Sequence, residues 1–231
     1  MKISVIIPAY NEEKYITDTL KAITAVDYPD FEVIVVDNAS TDYTANLARL
    51  FPVKVVSESR KGTMWACERG RKEASGEIIV RMDADCLPKK DWLSKGAELF
   101  KDPKVVVVSG PYDYFDASPF FRWTSLFIQK YIYVPANAAF QMMRLHAGIT
   151  VGGNTFVRAS ALAAIGGFNT SITFYGDDTD LPKRMSAVGK VVFNRNVVMP
   201  TSARRFKKEG IIRLQVKYVF YFMKVIFTGK I

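Results

Sequence analysis

The sequence predicts one α/β domain built on a mainly parallel sheet with helices over both faces. Three observations carry this expectation. Short β-branched runs alternate with helical segments through the first half of the chain, as in consecutive β–α units. The length, 231 residues, favours one sizeable core over two domains. Polar clusters follow three of the apolar runs, at 10–12, 37–38 and 83–85, where such sheets bind ligands beyond the carboxyl ends of their strands.

In chain order, residues 3–7 form a buried strand expected to end at Pro8, and 12–25 read as a helix. Residues 31–36 make the second strand, which runs into Asp37-Asn-Ala-Ser-Thr-Asp42, a cluster suited to capping a helix over about 43–50. A third strand at 53–56, a helix at 63–74 and a fourth strand at 77–82 follow, then a helix from Pro88 to 100 and a fifth strand at 105–109. Residues 120–143 carry Phe120, Trp123, Phe127 and Tyr131 at helical spacing, with a break expected at Pro135. Such a stripe packs on the core or forms an apolar lip beside the site. Residues 152–158 read as a strand, Gly166-Gly167 as a turn, and 175–180 as the entry to a helix ending near Gly189. There is no internal repeat and no low-complexity linker.

Hydrophobic residues at 49% and charged residues at 24% exclude a disordered or collagen-like chain. Two cysteines, Cys67 and Cys86, exclude a disulfide scaffold and a four-cysteine zinc site, and point to a reducing compartment. Few apolar residues separate Met1-Lys2 from Pro8, so no signal peptide is expected. No apolar run reaches the ~18 residues of a membrane span, so the expectation is a cytoplasmic protein, soluble or peripheral on the inner membrane face.

The net charge is +9, and residues 204–231 hold eight basic residues against one acidic, a net +7. That segment also contains Tyr218-Val-Phe-Tyr-Phe-Met223. Basic residues among large aromatics suit an anionic membrane surface, and equally a final helix packed on the core with its lysines in water. No helix-turn-helix, zinc-finger or RNP-type pattern accompanies the charge, so nucleic acid is not the expected partner.

Asp83 and Asp85 follow the apolar run Ile78-Ile-Val80. Two carboxylates at i and i+2 converge where a chain leaves strand geometry, and hard divalent cations such as Mg²⁺ or Mn²⁺ prefer such oxygens. Asp177, Asp178 and Asp180 open a helix, where the dipole favours acidic residues. Capping needs one of them, which leaves a carboxylate able to act as a general base on an alcohol. Arg60 and Lys61 precede Gly62 and either neutralise phosphate or face solvent. Arg204-Arg205 could cover a leaving diphosphate if the segment folds over the rim. His146 reads as structural or solvated, and Cys86 as a packing residue.

In order, Val5-Ile-Ile-Pro-Ala-Tyr-Asn-Glu-Glu13, Val35-Val-Asp-Asn-Ala-Ser-Thr-Asp42, Arg60-Lys-Gly62, Ala74-Ser-Gly-Glu77, Asp83-Ala-Asp85, Gly152-Gly-Asn-Thr-Phe156 and Gly176-Asp-Asp-Thr-Asp-Leu181 resemble glycosyltransferase family 2. The resemblance implies the GT-A fold, a three-layer α/β/α domain with a mostly parallel, mixed central sheet. It implies a catalytic domain over 1–203, with a nucleotide-sugar half at about 1–110 and an acceptor half at about 111–203, followed by the basic, aromatic segment 204–231. It also implies a divalent metal, Mg²⁺ or Mn²⁺, and inverting transfer from a nucleotide-diphosphate sugar to a saccharide or lipid-linked acceptor.

Carried onto this chain, Pro8, Ala9, Tyr10 and Glu12 line the nucleotide pocket, Asp37 and Asn38 contact base or ribose, and Lys61 lies nearby. Asp83, Ala84 and Asp85 form the sugar-nucleotide and metal motif, with Asp85 the more direct metal ligand. Gly153 and Asn154 face the acceptor. Asp178 matches the base, with Asp177 where a glutamate is usual, and Arg204 and Arg205 resemble the loop closing over the diphosphate. Asn38 stands where a second acidic residue is common, and no late histidine offers a further metal ligand. The competing readings are a sugar-phosphate nucleotidyltransferase, whose glycine-rich loop is replaced here by Pro8-Ala-Tyr-Asn11, and an inactive nucleotide-sugar-binding scaffold.

Overall fold

The computed structural model describes residues 1–143, 147–172, 176–211, 213–214, 216–217 and 220. His146, Tyr175 and, Phe220 apart, the aromatic run 218–223 lie outside them. Seven strands form the central sheet: β1 (Ile3–Ala9), β2 (Phe31–Asp37), β3 (Lys54–Ser57), β4 (Ile78–Met82), β5 (Val105–Ser109), β7 (Asn154–Arg158) and β8 (Lys190–Phe193). Their spatial order is β3-β2-β1-β4-β7-β5-β8. All neighbouring pairs are parallel except the two made by β7, which runs antiparallel between β4 and β5. The sheet is therefore mixed and mostly parallel, as expected.

Alternation along each strand sends side chains to two separate cores. From β1 and β4, Ile3, Val5, Ile7, Ile78, Val80 and Met82 meet α1 (Ile16–Thr24) and α4 (Trp92–Glu98) through Leu20, Trp92 and Leu93. On the other face Ile6 and Ile79 meet α3 (Thr63–Glu73), α7 (Ala159–Ala164) and α8 (Asp177–Met185) through Met64, Cys67, Leu162 and Met185. Period-2 residues on a strand meeting period-3.6 residues on helices at both faces give the three layers. Helix α2 (Thr44–Ala48) begins after Asp42, whose carboxylate accepts from Thr44 N–H at 3.0 Å.

Several local expectations change. Strand β1 does not stop at Pro8. Its pairing with β4 ends at Ile6↔Arg81, but pairing with β2 continues to Ala9↔Asp37. Past Ile6 the strand is an edge on its β4 side, where a proline is tolerated. The helix expected from residue 12 starts at Ile16, and the one expected from Pro88 starts at Trp92. Sequence reading also passed over α7, β8 and a small parallel ribbon, β6 (Tyr112–Tyr114) with β9 (Met199–Thr201).

Pro135 does not break the aromatic segment. Helix α5 (Pro119–Ile128), capped by Ser118, continues through a π-helical turn at Gln129–Tyr133 into α6 (Val134–Met142). A widened turn before a proline accommodates its missing N–H without ending the helix. The stripe is not core-facing. Phe120, Trp123, Phe127 and Tyr131 are 77%, 65%, 46% and 55% exposed, with stacked or tilted rings 5.5 and 5.0 Å apart along the last three. The opposite face carries Phe121, which packs with Tyr114 and with Phe206 of α9 (Arg204–Glu209), beside the buried Leu214. The start of the basic segment therefore packs directly on the aromatic helix. Among the described residues, no helix is long and apolar enough to cross a membrane.

Candidate active site

Strands β1, β2 and β4 are parallel, so Tyr10-Asn-Glu12, Asp37-Asn38 and Asp83-Ala-Asp85 emerge along one edge of the sheet. Strand β7 runs the other way, so its start is what reaches that edge: Asn154 pairs with Met82, and Gly152-Gly153 lie just beyond. All the polar clusters expected from the sequence thus share one rim.

On the nucleotide side, Tyr10 is half exposed and the Lys61 ammonium lies 5.2 Å above its ring. Asp37 keeps one enclosed carboxylate oxygen without a partner among the described residues. Pro8 and Ala9 form the end of β1, with the Ala9 carbonyl accepting from Asn38 N–H at 2.8 Å. Asn38, expected to contact base or ribose, is turned inward. Its amide donates to the carbonyls of Glu58 (3.0 Å) and Arg60 (2.7 Å) and accepts from Gly62 N–H (2.8 Å). Both N–H donors are spent on holding the loop that carries Lys61. Arg60 turns away, forking onto Glu58 and stacking on Trp65.

The Asp83-Ala-Asp85 turn is held by the second half of the chain. Tyr112 of β6 donates to Asp83 Oδ2 at 2.8 Å, and Thr201 of β9 donates to Asp85 at 3.4 Å. Buried Gln129 clamps Tyr112 by accepting from its N–H and donating to its carbonyl, linking the aromatic helix to the rim. Ala84 is buried, its carbonyl accepting from Thr19. Arg204 lies across this turn. Its Nε sits 2.8 Å from Asp85, its two Nη groups fork onto Glu12 at 2.7 and 2.5 Å, and its guanidinium covers the Tyr15 ring at 4.4 Å. Burial and the nearby Asp83 raise the Asp85 carboxyl to about 6, against the pull of Arg204. Arg205, also on α9, lies 4.0 Å from Glu209, and its charge partly offsets the rise at the Asp178 carboxyl.

On the acceptor side, Gly176 adopts φ +101°, a conformation that favours glycine, and turns the chain into α8. Asp177, Asp178 and Asp180 occupy its first turn. The three carboxylates have different fates. Asp180 meets Asn169 and Arg184. Asp177 forms an ion pair with Arg81, a buried residue of β4. Asp178 keeps an enclosed Oδ1 with no partner among the described residues, and burial, reinforced by Asp177, holds its carboxyl well above the usual range. Pro182, four residues on, cannot donate to the Asp178 carbonyl; Thr150 Oγ1 does so instead at 2.9 Å.

The glycines before β7 are required by close approach. A Cβ on Gly152 would stand 2.7 Å from Asp178 Oδ1 and 2.8 Å from Arg81 Nη2; one on Gly153 would stand 2.3 Å from the Tyr112 hydroxyl and 2.4 Å from Asp83 Cγ. Asn154, expected at the acceptor, is fully buried. It accepts from Trp92 Nε1 at 2.9 Å and donates to the Val197 carbonyl at 2.7 Å, so its role lies inside the fold. Both cysteines are buried and free; burial pushes the Cys67 thiol up to about 12 and raises Cys86 well above its ordinary value, so neither offers a thiolate. Sequence reading missed Arg81, Tyr112 and Thr150. Arg81 alone left a signal, a single charge inside an otherwise apolar strand run.

Comparison with known proteins bears on the family and the fold. The family described as glycosyl transferase family 2 matches residues 4–166. Glycosyltransferase AglE of Haloferax volcanii is 36% identical over 116 residues, 47% of this chain and 38% of its own length. The probable glycosyltransferase YdaM of Bacillus subtilis is 29% identical over 205 residues, 81% of this chain and 47% of its own. The chain thus spans less than half of these relatives. Among solved structures, the mannosyltransferase PcManGT of Pyrobaculum calidifontis, in complex with GDP-Man and Mn²⁺, superposes with TM-score 0.70 at 26% identity over 95% of this chain and 64% of that one. Staphylococcus aureus TarS with UDP-GlcNAc shares the fold at TM-score 0.70 and 20% identity, over 98% of this chain and 65% of that one. With its mixed seven-stranded sheet and its clusters on one edge, this chain belongs to glycosyltransferase family 2 and has the GT-A fold.

Proposed function

We propose that the protein is an inverting glycosyltransferase that moves a sugar from a nucleotide-diphosphate sugar to an acceptor hydroxyl, with Asp178 as general base. The observation that carries this reading is the enclosed Oδ1 of Asp178, unpartnered among the described residues, at the rim where β4 delivers Asp83 and Asp85. As the acceptor oxygen bonds to the anomeric carbon, its proton passes to Asp178. The bond from that carbon to the diphosphate breaks on the opposite side, and its electron pair leaves with the diphosphate. A single displacement of this kind inverts the anomeric centre. Tyr10, Asp37 and Lys61 receive the nucleoside, and Arg204, with Lys61 and Arg205, neutralises the departing charge. In this reading residues 1–110 hold the donor and 111–203 the acceptor.

The residues suit a hard divalent cation in part. Asp83 and Asp85 supply carboxylate oxygens, but among the described residues no group of three or more His, Cys, Asp or Glu side chains could hold a metal ion. Diphosphate oxygens and water would complete the set, with Arg204 withdrawn from Asp85. Bound there, Mg²⁺ or Mn²⁺ would supply charge neutralisation at the leaving group.

The test assays Asp178→Asn and Asp177→Asn separately, with donors chosen by a thermal-shift panel of UDP-, GDP-, CDP- and dTDP-sugars with Mn²⁺. Loss of a general base costs ~10²–10⁴-fold in turnover. An Asp178→Asn variant near wild-type turnover refutes the assignment.

A second reading concerns where the acceptor is met. The exposed aromatic stripe of α5 adjoins the basic segment through Phe121 and Phe206, and Lys207, Lys208 and Arg213 are exposed beside it. We infer that this face rests on an anionic lipid surface presenting a lipid-linked acceptor. Flotation with phosphatidylglycerol vesicles tests it: Trp123→Ser/Phe127→Ser should abolish binding, and binding unaffected by that change removes the reading.

A further inference from the structure

Strand β4 is buried along its whole length, and four of its five residues are apolar: Ile78, Ile79, Val80 and Met82. The fifth is Arg81, between Ile6 of β1 and Thr155 of β7. A buried guanidinium is costly, and replacing a buried ion pair by apolar residues is often neutral or stabilising. Stability alone does not account for an arginine here. Its surroundings do. Nη1 donates to Asp177, Nη2 lies 4.0 Å from Asp83 Oδ1, and Nε is enclosed without a partner among the described residues. One guanidinium thus touches the carboxylates of both halves of the site. Nη2 and Asp178 Oδ1 also flank the same bare face of Gly152, at 2.8 and 2.7 Å from where a Cβ would stand.

We infer that Arg81 is a positioning residue for the transfer reaction: by pairing with Asp177 it fixes the first turn of α8 and leaves Asp178 as the carboxylate that meets the acceptor. The inference rests on the reading of Asp178 as base. Adjacent carboxylates on one helical turn repel each other. Pairing with Arg81 offsets part of the Asp177 charge beside Asp178. The pair also tethers the N-terminus of α8 to the central strand, so the distance between the base and the Asp83-Asp85 turn is set by a rigid element.

The experiment measures kcat, donor KM and melting temperature for Arg81→Gln, Arg81→Lys, Asp177→Asn and the Arg81→Gln/Asp177→Asn double variant. The readout is nucleoside diphosphate released from the same donor panel with Mn²⁺. Displacing a reacting group by about 1 Å costs ~10²-fold, so Arg81→Gln should lower kcat by about that factor. Donor KM should stay within about twofold, because donor contacts are untouched. Arg81→Lys retains the charge and should keep kcat within about tenfold of wild type. The double variant removes one charge of each sign and should recover about tenfold or more of the Arg81→Gln loss, a coupling that independent sites do not show.

The inference is overturned if Arg81→Gln folds and turns over like wild type, if the loss appears in donor KM, or if the two single losses simply multiply. Where Arg81→Gln does not fold, Arg81→Lys and the double variant decide between the same outcomes. An active Asp178→Asn variant, or wild-type protein inert to every donor, overturns the base reading itself. An inactive Asp178→Asn beside an unaffected Arg81→Gln overturns only the role of Arg81.

Discussion

Asn38→Ala removes three hydrogen bonds from a buried side chain, those to Glu58 O, Arg60 O and Gly62 N–H at 3.0, 2.7 and 2.8 Å. Each is worth about 0.5–1.5 kcal/mol net, so the loss sums to about 3 kcal/mol, more where the orphaned carbonyls stay dry. For a domain of this size 1 kcal/mol shifts the melting temperature by about 2–4 °C, so the variant should melt about 6–12 °C lower. Asn38→Asp should fare no better, because a carboxylate has no N–H to give the two carbonyls. Calorimetry and guanidinium unfolding measure both, and a donor titration follows the loop carrying Lys61. If Asn38→Ala keeps its stability to within about 1 kcal/mol while donor binding collapses, the amide faces the nucleoside after all and the structural role is wrong.

Three further outcomes can be measured. Turnover should rise with pH through a value above the ordinary carboxylate range, because Asp178 must ionise and burial, then Asp177, oppose this; Asp177→Asn should move that limb to lower pH. The folded value of Asp178 lies above its unfolded value, so its contribution to stability is complete below about pH 3.9 and is lost as pH rises through the folded value. Asp178→Asn, permanently neutral, should therefore melt higher than wild type near pH 8 and lose that advantage near pH 3. Arg204 competes with any cation for Asp85, so Arg204→Gln should bind Mn²⁺ about tenfold more tightly without donor, the equivalent of one charge-assisted bond of ~1.5 kcal/mol. Electron paramagnetic resonance of free Mn²⁺ reads this, and an unchanged affinity would remove the competition.

Much of the architecture is local and was legible. Runs such as Ile3–Ile7 and Val105–Ser109 are apolar and β-branched because both faces of the sheet are covered, and the clusters after β1, β2 and β4 follow from parallel strands ending at one edge. The short strands β6, β8 and β9 were not legible, because they lie outside the β–α alternation that marks the equally short β3 and are strands only through their pairing. The aromatic stripe illustrates a related ambiguity: helical spacing of Phe120, Trp123, Phe127 and Tyr131 defines a face, but not whether protein covers it.

Residue types and their order along the chain were enough to assign the family, the rim and its carboxylates, since each motif is contiguous and carries its own turn chemistry. Which of those side chains remain available was decided by contacts across long stretches of sequence. Arg81 claims Asp177 from 96 residues away, Arg204 claims Glu12 from 192, and Asn38 and Asn154 are consumed by the backbone of neighbouring loops. A polar atom that must leave water takes whatever partner the fold brings within 3 Å, and that choice is made only when the chain has closed on itself.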